Sequence, residues 1–183
     1  MPLVTPAGEA LFRHRGWIPV PLALLALIPD PQPSLSALTL LLLGEATRLW
    51  AVGHIGRRSR TRGADVGALV DTGPYASVRN PLYVGNFLIW AAVGVVAWPL
   101  VLLFVPVVAL HYAVIVRWEE RNLLGQIGAD YADYLGRVPR WVPRAWPRGG
   151  SWDAREGFRS ERGTFVVIAL AGALLWFRWY LSA

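Results

Sequence analysis

The chain contains no cysteine, and none of its 18 basic residues is lysine. Without thiols it can form no disulfide, hold no thiolate-bound metal and use no cysteine nucleophile. Histidine is scarce too. His14, His54 and His111 are scattered, which disfavours a histidine-built zinc site. No Gly-rich phosphate loop occurs, a point against Rossmann and Walker nucleotide sites. No nucleophile elbow, zinc motif or paired intramembrane acidic relay is present either. No inverted repeat of the kind that builds secondary transporters is visible.

What is present is apolar. Of 183 residues, 55% are hydrophobic and ten are Trp. The length suggests one domain. Five apolar segments can be marked: Trp17–Ile28, Ser34–Val52, Leu82–Trp98, Leu100–Val116 and Thr164–Leu181. A bilayer forces such runs into helices, because the backbone must satisfy its own hydrogen bonds, and the runs lack the alternation of barrel strands. The first segment is short against the ~20 residues of a full span. Pro29–Pro33 follows it in place of a small-residue cleavage site, so it reads as a retained membrane segment and not a secretory signal. Only Trp98-Pro99 separates segments three and four, which predicts a tight antiparallel hairpin. The fold class expected is an all-α integral membrane protein of about five transmembrane helices with cytoplasmic cofactor-binding loops.

The net charge of +6 comes from arginine. With these apolar runs it reads as positive-inside topology and attraction to anionic lipid heads, not as nucleic-acid binding. Arg13, Arg15, Arg57, Arg58, Arg60, Arg62, Arg79 and the arginines from Arg117 to Arg162 all fall on one predicted side. The opposite connections, Pro29–Pro33 and Trp98-Pro99, carry none. This predicts an inside N-terminus and an outside C-terminus, with the polar regions Gly53–Pro81 and Trp118–Gly163 on the cytoplasmic side of a bacterial inner membrane. Arg178, near the outer end of the last segment, is expected to snorkel.

Ionisable and polar groups at or within membrane helices are candidate functional groups. Glu45 and Arg48 stand at i, i+3 on one face of segment two. They read either as a satisfied pair or as a polar wall of a substrate cavity, with Asn86 as a further substrate-side group. Arg117, Glu119 and Glu120 close the apolar run of segment four. Adjacent carboxylates diverge by about 100° on a helix, so one can face a cationic ligand while the other pairs with an arginine. In Gly73–Gly85, Gly73-Pro74 marks a turn, Asn80 an N-cap and Pro81 the first helical position. The stretch Asp130–Leu135 predicts a short helix, and Arg144–Gly163 an irregular linker.

Taken as a set, these residues resemble the C-terminal signature of the isoprenylcysteine carboxyl methyltransferase family, parts of which phospholipid N-methyltransferases and bacterial thiol methyltransferases share. Gly73, Tyr75, Arg79, Pro81, Tyr83, Gly85, Glu119, Glu120, Gly128, Tyr131, Tyr134, Val138 and Pro139 fit it. The match spans about Gly67–Pro143. Two positions depart from it: Asn80 stands where the family has His, and Ile115 where many relatives have Arg one turn before the Glu pair. Arg117 is the substitute candidate there.

The resemblance implies S-adenosylmethionine bound at the cytoplasmic helix ends, and a methyl acceptor arriving through the membrane. It places Gly67, Ala68, Leu69, Val70, Tyr75, Asn80, Pro81, Leu82, Tyr83 and Glu119 in the cofactor pocket. Arg117 would clamp the substrate, and Glu120 is the nearest base for a thiol or amine acceptor. No metal is needed. One domain, 1–183, is expected: an N-terminal hairpin and loop (1–66), a cofactor-binding core (67–143), and a linker with a final helix (144–183). The acceptor would be an isoprenylcysteine-like carboxylate, a lipid amine or a thiol. A sterol-reductase-like NADPH enzyme and a non-enzymatic membrane scaffold are the alternatives.

Overall fold

The computed structural model describes Phe12, His14, residues 20–56 and residues 69–182. Its elements, in order, are α1 (Val20–Leu25), α2 (Leu35–Ile55), a 3-10 turn (Pro74–Ala76), α3 (Pro81–Val96), α4 (Val101–Ile127), α5 (Ala129–Arg137) and α6 (Ala154–Ser182). Among the described residues there is no strand, only an isolated bridge between Gly73 and Arg148. The all-helical expectation holds.

Among the described residues three helices are long and apolar enough to cross a membrane: α2, α4 and α6. The apolar helix α3 has 16 residues, about 24 Å at 1.5 Å per residue. The described part of the first apolar segment forms a six-residue helix, α1, too short to cross a ~30 Å core by itself. By length and composition, then, three crossings are supported where five were expected.

Local chemistry sets the helix ends. Ser34 caps α2, its hydroxyl accepting from the Ala37 N–H at 3.2 Å. Pro81 opens α3 at a position that needs no donor. Asp153 starts α6, its carboxylate accepting from the Glu156 N–H at 2.9 Å. Two elements run further than the apolar pattern implied. α4 continues past Val116 to Ile127, so Glu119 and Glu120 lie inside a helix and not at its end. α6 begins at Ala154, so the expected linker Arg144–Gly163 is helical over its second half. Gly128, at φ +74°, ends α4 and admits α5, which folds back on it through Tyr131, Tyr134 and Val138.

Packing organises these helices around α2. Its largest contact is with α3. There Gly44 and Gly85 meet so closely that a Cβ on Gly85 would sit 2.7 Å from the Gly44 carbonyl oxygen. Small residues permit such approach, and in lipid close packing is a main source of helix association. The expected α3–α4 hairpin is present, with Ala97–Leu100 as its connection. Leu22, Ala26, Ala97, Phe104, Val108 and Tyr112 form its core. The exposed residues of α2, α4 and α6 are strongly apolar, among them Leu38, Leu42, Leu102, Leu110, Val167 and Leu170. A bilayer would cover them.

Arg178 does not simply reach for an interface. Its guanidinium donates to the Leu27 and Pro29 carbonyls and lies 3.7 Å from Asp30. The far end of α6 is thereby tied to the α1–α2 connection. Gln32 N–H also bonds Val96 O at 2.7 Å, which gathers α3's far end there. The family-like residues lie at the opposite end.

Candidate active site

Tyr83, in the first turn of α3, donates its hydroxyl to Glu119 on α4 at 2.9 Å. Its ring lies 5.1 Å from that of buried Tyr112. Phe12 stacks on Trp118 with ring centroids 4.5 Å apart, next to the same carboxylate in sequence. Tyr75 is brought in by the 3-10 turn. Tyr134 of α5 pins that turn, donating its hydroxyl to the Tyr75 carbonyl at 2.8 Å. The Tyr75 side chain is buried, and its hydroxyl has no hydrogen-bond partner among the described residues. Burial above all, and then the Glu119 charge, push its pKa far above the ordinary phenol value. At neutral pH Tyr75 is thus a protonated donor. Burial likewise raises Tyr131, with Glu120 and Glu119 adding to it.

Glu120 is held differently. One of its oxygens accepts from Arg79 at 3.1 Å. Arg140 reaches both, with Nε at 3.0 and 3.1 Å and Nη2 at 2.5 Å. This hydrogen bond to Glu120 raises Arg140 further, against its desolvation. Arg79 also donates to the Val138 and Leu135 carbonyls. The pair of adjacent glutamates therefore splits as the 100° helical step predicts. Glu119 faces the tyrosines, and Glu120 ties the segment after α5 to α3 and α4.

Asn80 takes the N-cap position but makes no side-chain cap. Its amide instead donates to the Arg140 carbonyl at 3.4 Å. The capping role read from the sequence is thus corrected: Asn80 faces the segment that carries Arg140. Pro81 is buried beside it, and Leu82 is half-buried. Arg117 is exposed and about 200° around α4 from buried Ile115. The Arg117 carbonyl accepts from Arg121 Nε at 3.1 Å. Leu69 packs against the α5 cluster, while Val70 lines a separate cavity with His54, Asp153 and Glu156. Gly67 and Ala68, also expected in the cofactor pocket, lie outside the described residues.

Glu45, Arg48 and Asn86 do converge, with two partners the sequence reading missed. Arg48 donates to Asn86 Oδ1, to Glu161 at 2.5 Å and to Thr164 at 3.1 Å. Glu45 lies 3.6 Å from the Arg48 Nε, yet neither of its buried oxygens has a hydrogen-bond donor among the described residues. Glu161 sits in the stretch read as a linker, so it carried no membrane signal. Arg140 could have been sought only as the partner that buried Glu120 requires.

The family model for phospholipid methyltransferases matches residues 34–129, which includes both α2–α3 and the Tyr83–Glu119 pair. The chain belongs to the phospholipid methyltransferase family. This integral membrane methyltransferase is 33% identical over 155 residues to the nickel-cobalt-cadmium resistance protein NccN of Alcaligenes xylosoxydans xylosoxydans, covering 76% of the chain and 70% of the relative. It is 36% identical over 118 residues to protein-S-isoprenylcysteine O-methyltransferase B of Arabidopsis thaliana, covering 58% of the chain and 57% of the relative. Over 75 residues it is 40% identical to methanethiol S-methyltransferase 2 of Bradyrhizobium diazoefficiens, covering 40% of the chain and 28% of the relative. No solved structure matches. The resemblance to isoprenylcysteine methyltransferases holds, and with it the need for a methyl donor. The reductase and scaffold alternatives are set aside.

Proposed function

We propose that the donor of this methyltransferase is S-adenosylmethionine, held with its cationic part against Glu119, and that the acceptor is lipophilic. The observation that carries the reading is the Tyr83–Glu119 hydrogen bond beside the buried, unpaired Tyr75 hydroxyl. A carboxylate suits the sulfonium and ammonium. A buried phenol in need of a partner suits the polar atoms of a nucleoside. When bound, the donor supplies an electrophilic methyl on sulfur, and in-line displacement leaves a neutral thioether.

In this reading the chain contributes alignment and exclusion of water. Tyr83 orients Glu119. Trp118 and Tyr112 wall the site. Leu69, Asn80, Pro81 and Leu82 complete it, as do Val70, Gly67 and Ala68 by resemblance. Glu120, expected as a base, acts instead as a positioning residue, because guanidinium donors occupy both its oxygens. This favours an acceptor that reacts as an anion, such as a carboxylate or thiolate, which needs no protein base. Arg117, exposed on α4, is given no step in this reading. The Glu45–Arg48–Asn86 group locks α6 to α2 and α3 in place of lining a substrate wall. The divisions at 66 and 143 are then functional and not structural, since the Arg48–Glu161 pair stitches the chain across both of them, while Arg79–Glu120–Arg140 holds the middle part together. By the positive-inside rule the site faces the cytoplasm of a bacterial inner membrane.

The metal-resistance name belongs to the relative. Among the described residues no group of three or more His, Asp or Glu could hold a metal ion, so no observation supports a metal-handling reading.

The test uses detergent-purified protein. S-adenosylhomocysteine is expected to raise its melting temperature, since a ligand of the folded state stabilises it, and NADPH is not. With a long-chain acceptor, methylation should slow as extra detergent dilutes that acceptor at fixed bulk concentration. Stabilisation by NADPH alone would overturn the donor. A rate unchanged across the dilution would overturn the lipophilic acceptor.

A further inference from the structure

A second cavity of about 470 Å³ opens where α2 meets the first turn of α3 and the segment 141–147. Pro81 and Val84 present α3 to it. Tyr83 lies about 160° from Pro81 and 100° from Val84 around that helix, so the cavity is on another face from the Tyr83–Glu119 pair. Its walls are apolar and aromatic, with Trp50, Val78, Trp141 and Trp146 among them.

Two polar features stand out. Ser77 lines the cavity and is only 5% exposed, yet its hydroxyl has no hydrogen-bond partner among the described residues. A buried hydroxyl left unpaired is costly, so a ligand atom there would be favoured. Arg144 also lines the cavity. It is exposed and forms no ion pair or side-chain hydrogen bond with any described residue. Arg79 and Arg140, by contrast, are already committed to Glu120.

An exposed guanidinium and a buried hydroxyl, both without partners among the described residues, line an aromatic, apolar groove and match an anionic head on an apolar tail. The guanidinium also repels a cationic head, which the tryptophans alone would welcome. The groove abuts α2, which is long and apolar enough to cross a membrane, and Trp146 at 87% exposed has the amphipathic ring found at bilayer interfaces. The volume holds a head group and the first part of a chain, not a whole lipid.

We propose that this groove binds one anionic phospholipid. Its phosphate meets Arg144 and the Ser77 hydroxyl, and its acyl chain leaves along Thr47, Trp50 and Val84. The lipid is a resident ligand and not the methyl acceptor, so the site is independent of which donor the enzyme uses.

The experiment compares dioleoylphosphatidylglycerol with dioleoylphosphatidylcholine at equal mole fraction in uncharged micelles, reading the melting temperature and, by native mass spectrometry, the lipids retained. Phosphatidylglycerol is expected to raise the melting temperature more than phosphatidylcholine and to leave one lipid bound. Arg144→Gln, at an exposed position, should abolish that difference, and Ser77→Ala should reduce it by at least half. The full difference surviving in either variant, or equal shifts from the two lipids in the wild type, overturns the proposal. S-adenosylhomocysteine stabilisation, read on the same samples, should be the same in Arg144→Gln as in the wild type. Its absence everywhere would count against the donor alone.

Discussion

The hydroxyl of Tyr83 and the carboxylate of Glu119 are 36 positions apart in the chain and 2.9 Å apart in space. Hydrogen bonds to charged groups contribute about 1.5–3 kcal/mol. Tyr83→Phe should therefore weaken S-adenosylhomocysteine binding by roughly tenfold or more, and Glu119→Gln by at least as much, as read by isothermal titration. An unchanged dissociation constant in both variants would remove Glu119 from the cofactor site.

Glu120 and Arg140 yield a contrast with that pair. Breaking a buried ion pair leaves an uncompensated charge and costs about 3–5 kcal/mol. Glu120→Gln and Arg79→Ala should lower the melting temperature markedly, and the surviving folded fraction should keep most of its kcat. A Glu120→Gln protein that melts like the wild type but has lost turnover would restore Glu120 as the base.

The polar network of α2 and α6 predicts opposite effects for two glutamates. Glu161 accepts a close bond from Arg48, whereas the Glu45 oxygens have no donor among the described residues. Glu161→Gln should destabilise. Glu45→Gln, which removes a charge without losing a hydrogen bond, should be neutral or stabilising. Melting curves of the two variants in one detergent decide it, and a larger loss for Glu45→Gln would contradict the assignment.

Alkaline stability should depend on tyrosine. With no Lys and no Cys in the chain, the side chains that titrate near pH ~10 are phenols. Tyr75 is held protonated in the folded state chiefly by burial. The unfolded chain releases that proton near pH ~10 while the folded chain retains it. The unfolded state then binds fewer protons, and stability falls as pH rises above ~10. Tyr75→Phe should flatten this fall. An identical pH slope in wild type and variant would show that Tyr75 is not so buried.

Arg178 bonds to the Leu27 and Pro29 carbonyls, so the end of α6 and the α1–α2 connection share one side. The cysteine-free chain allows a direct check with single-cysteine variants and an impermeant thiol reagent. Asp30→Cys and Ser182→Cys should label from the same side, and Arg155→Cys from the other. Labelling of all three from one side would refute this arrangement.

Much of this was legible in residue order alone. Apolar length and Arg placement marked the membrane helices. Pro81 marked a helix start, and the Gly73–Pro139 motif marked the family. These are local or periodic signals, because helix formation depends on neighbours three and four residues away. The sequence did not show how far helices outlast their apolar runs, so Glu119 was expected at the end of α4 and Glu161 in a linker. A polar stretch is compatible with helix or loop until something packs on it. For α4 that something is α5, and for the start of α6 it is α2. Nor could residue order assign partners. Asn80 was a cap by position and became a donor to Arg140. Glu120 was a candidate base by position, and its partners Arg79 and Arg140 came only with the fold. A buried charge takes whichever opposite charge the fold brings within about 3 Å, and that depends on contacts between distant parts of the chain, which only the tertiary structure decides.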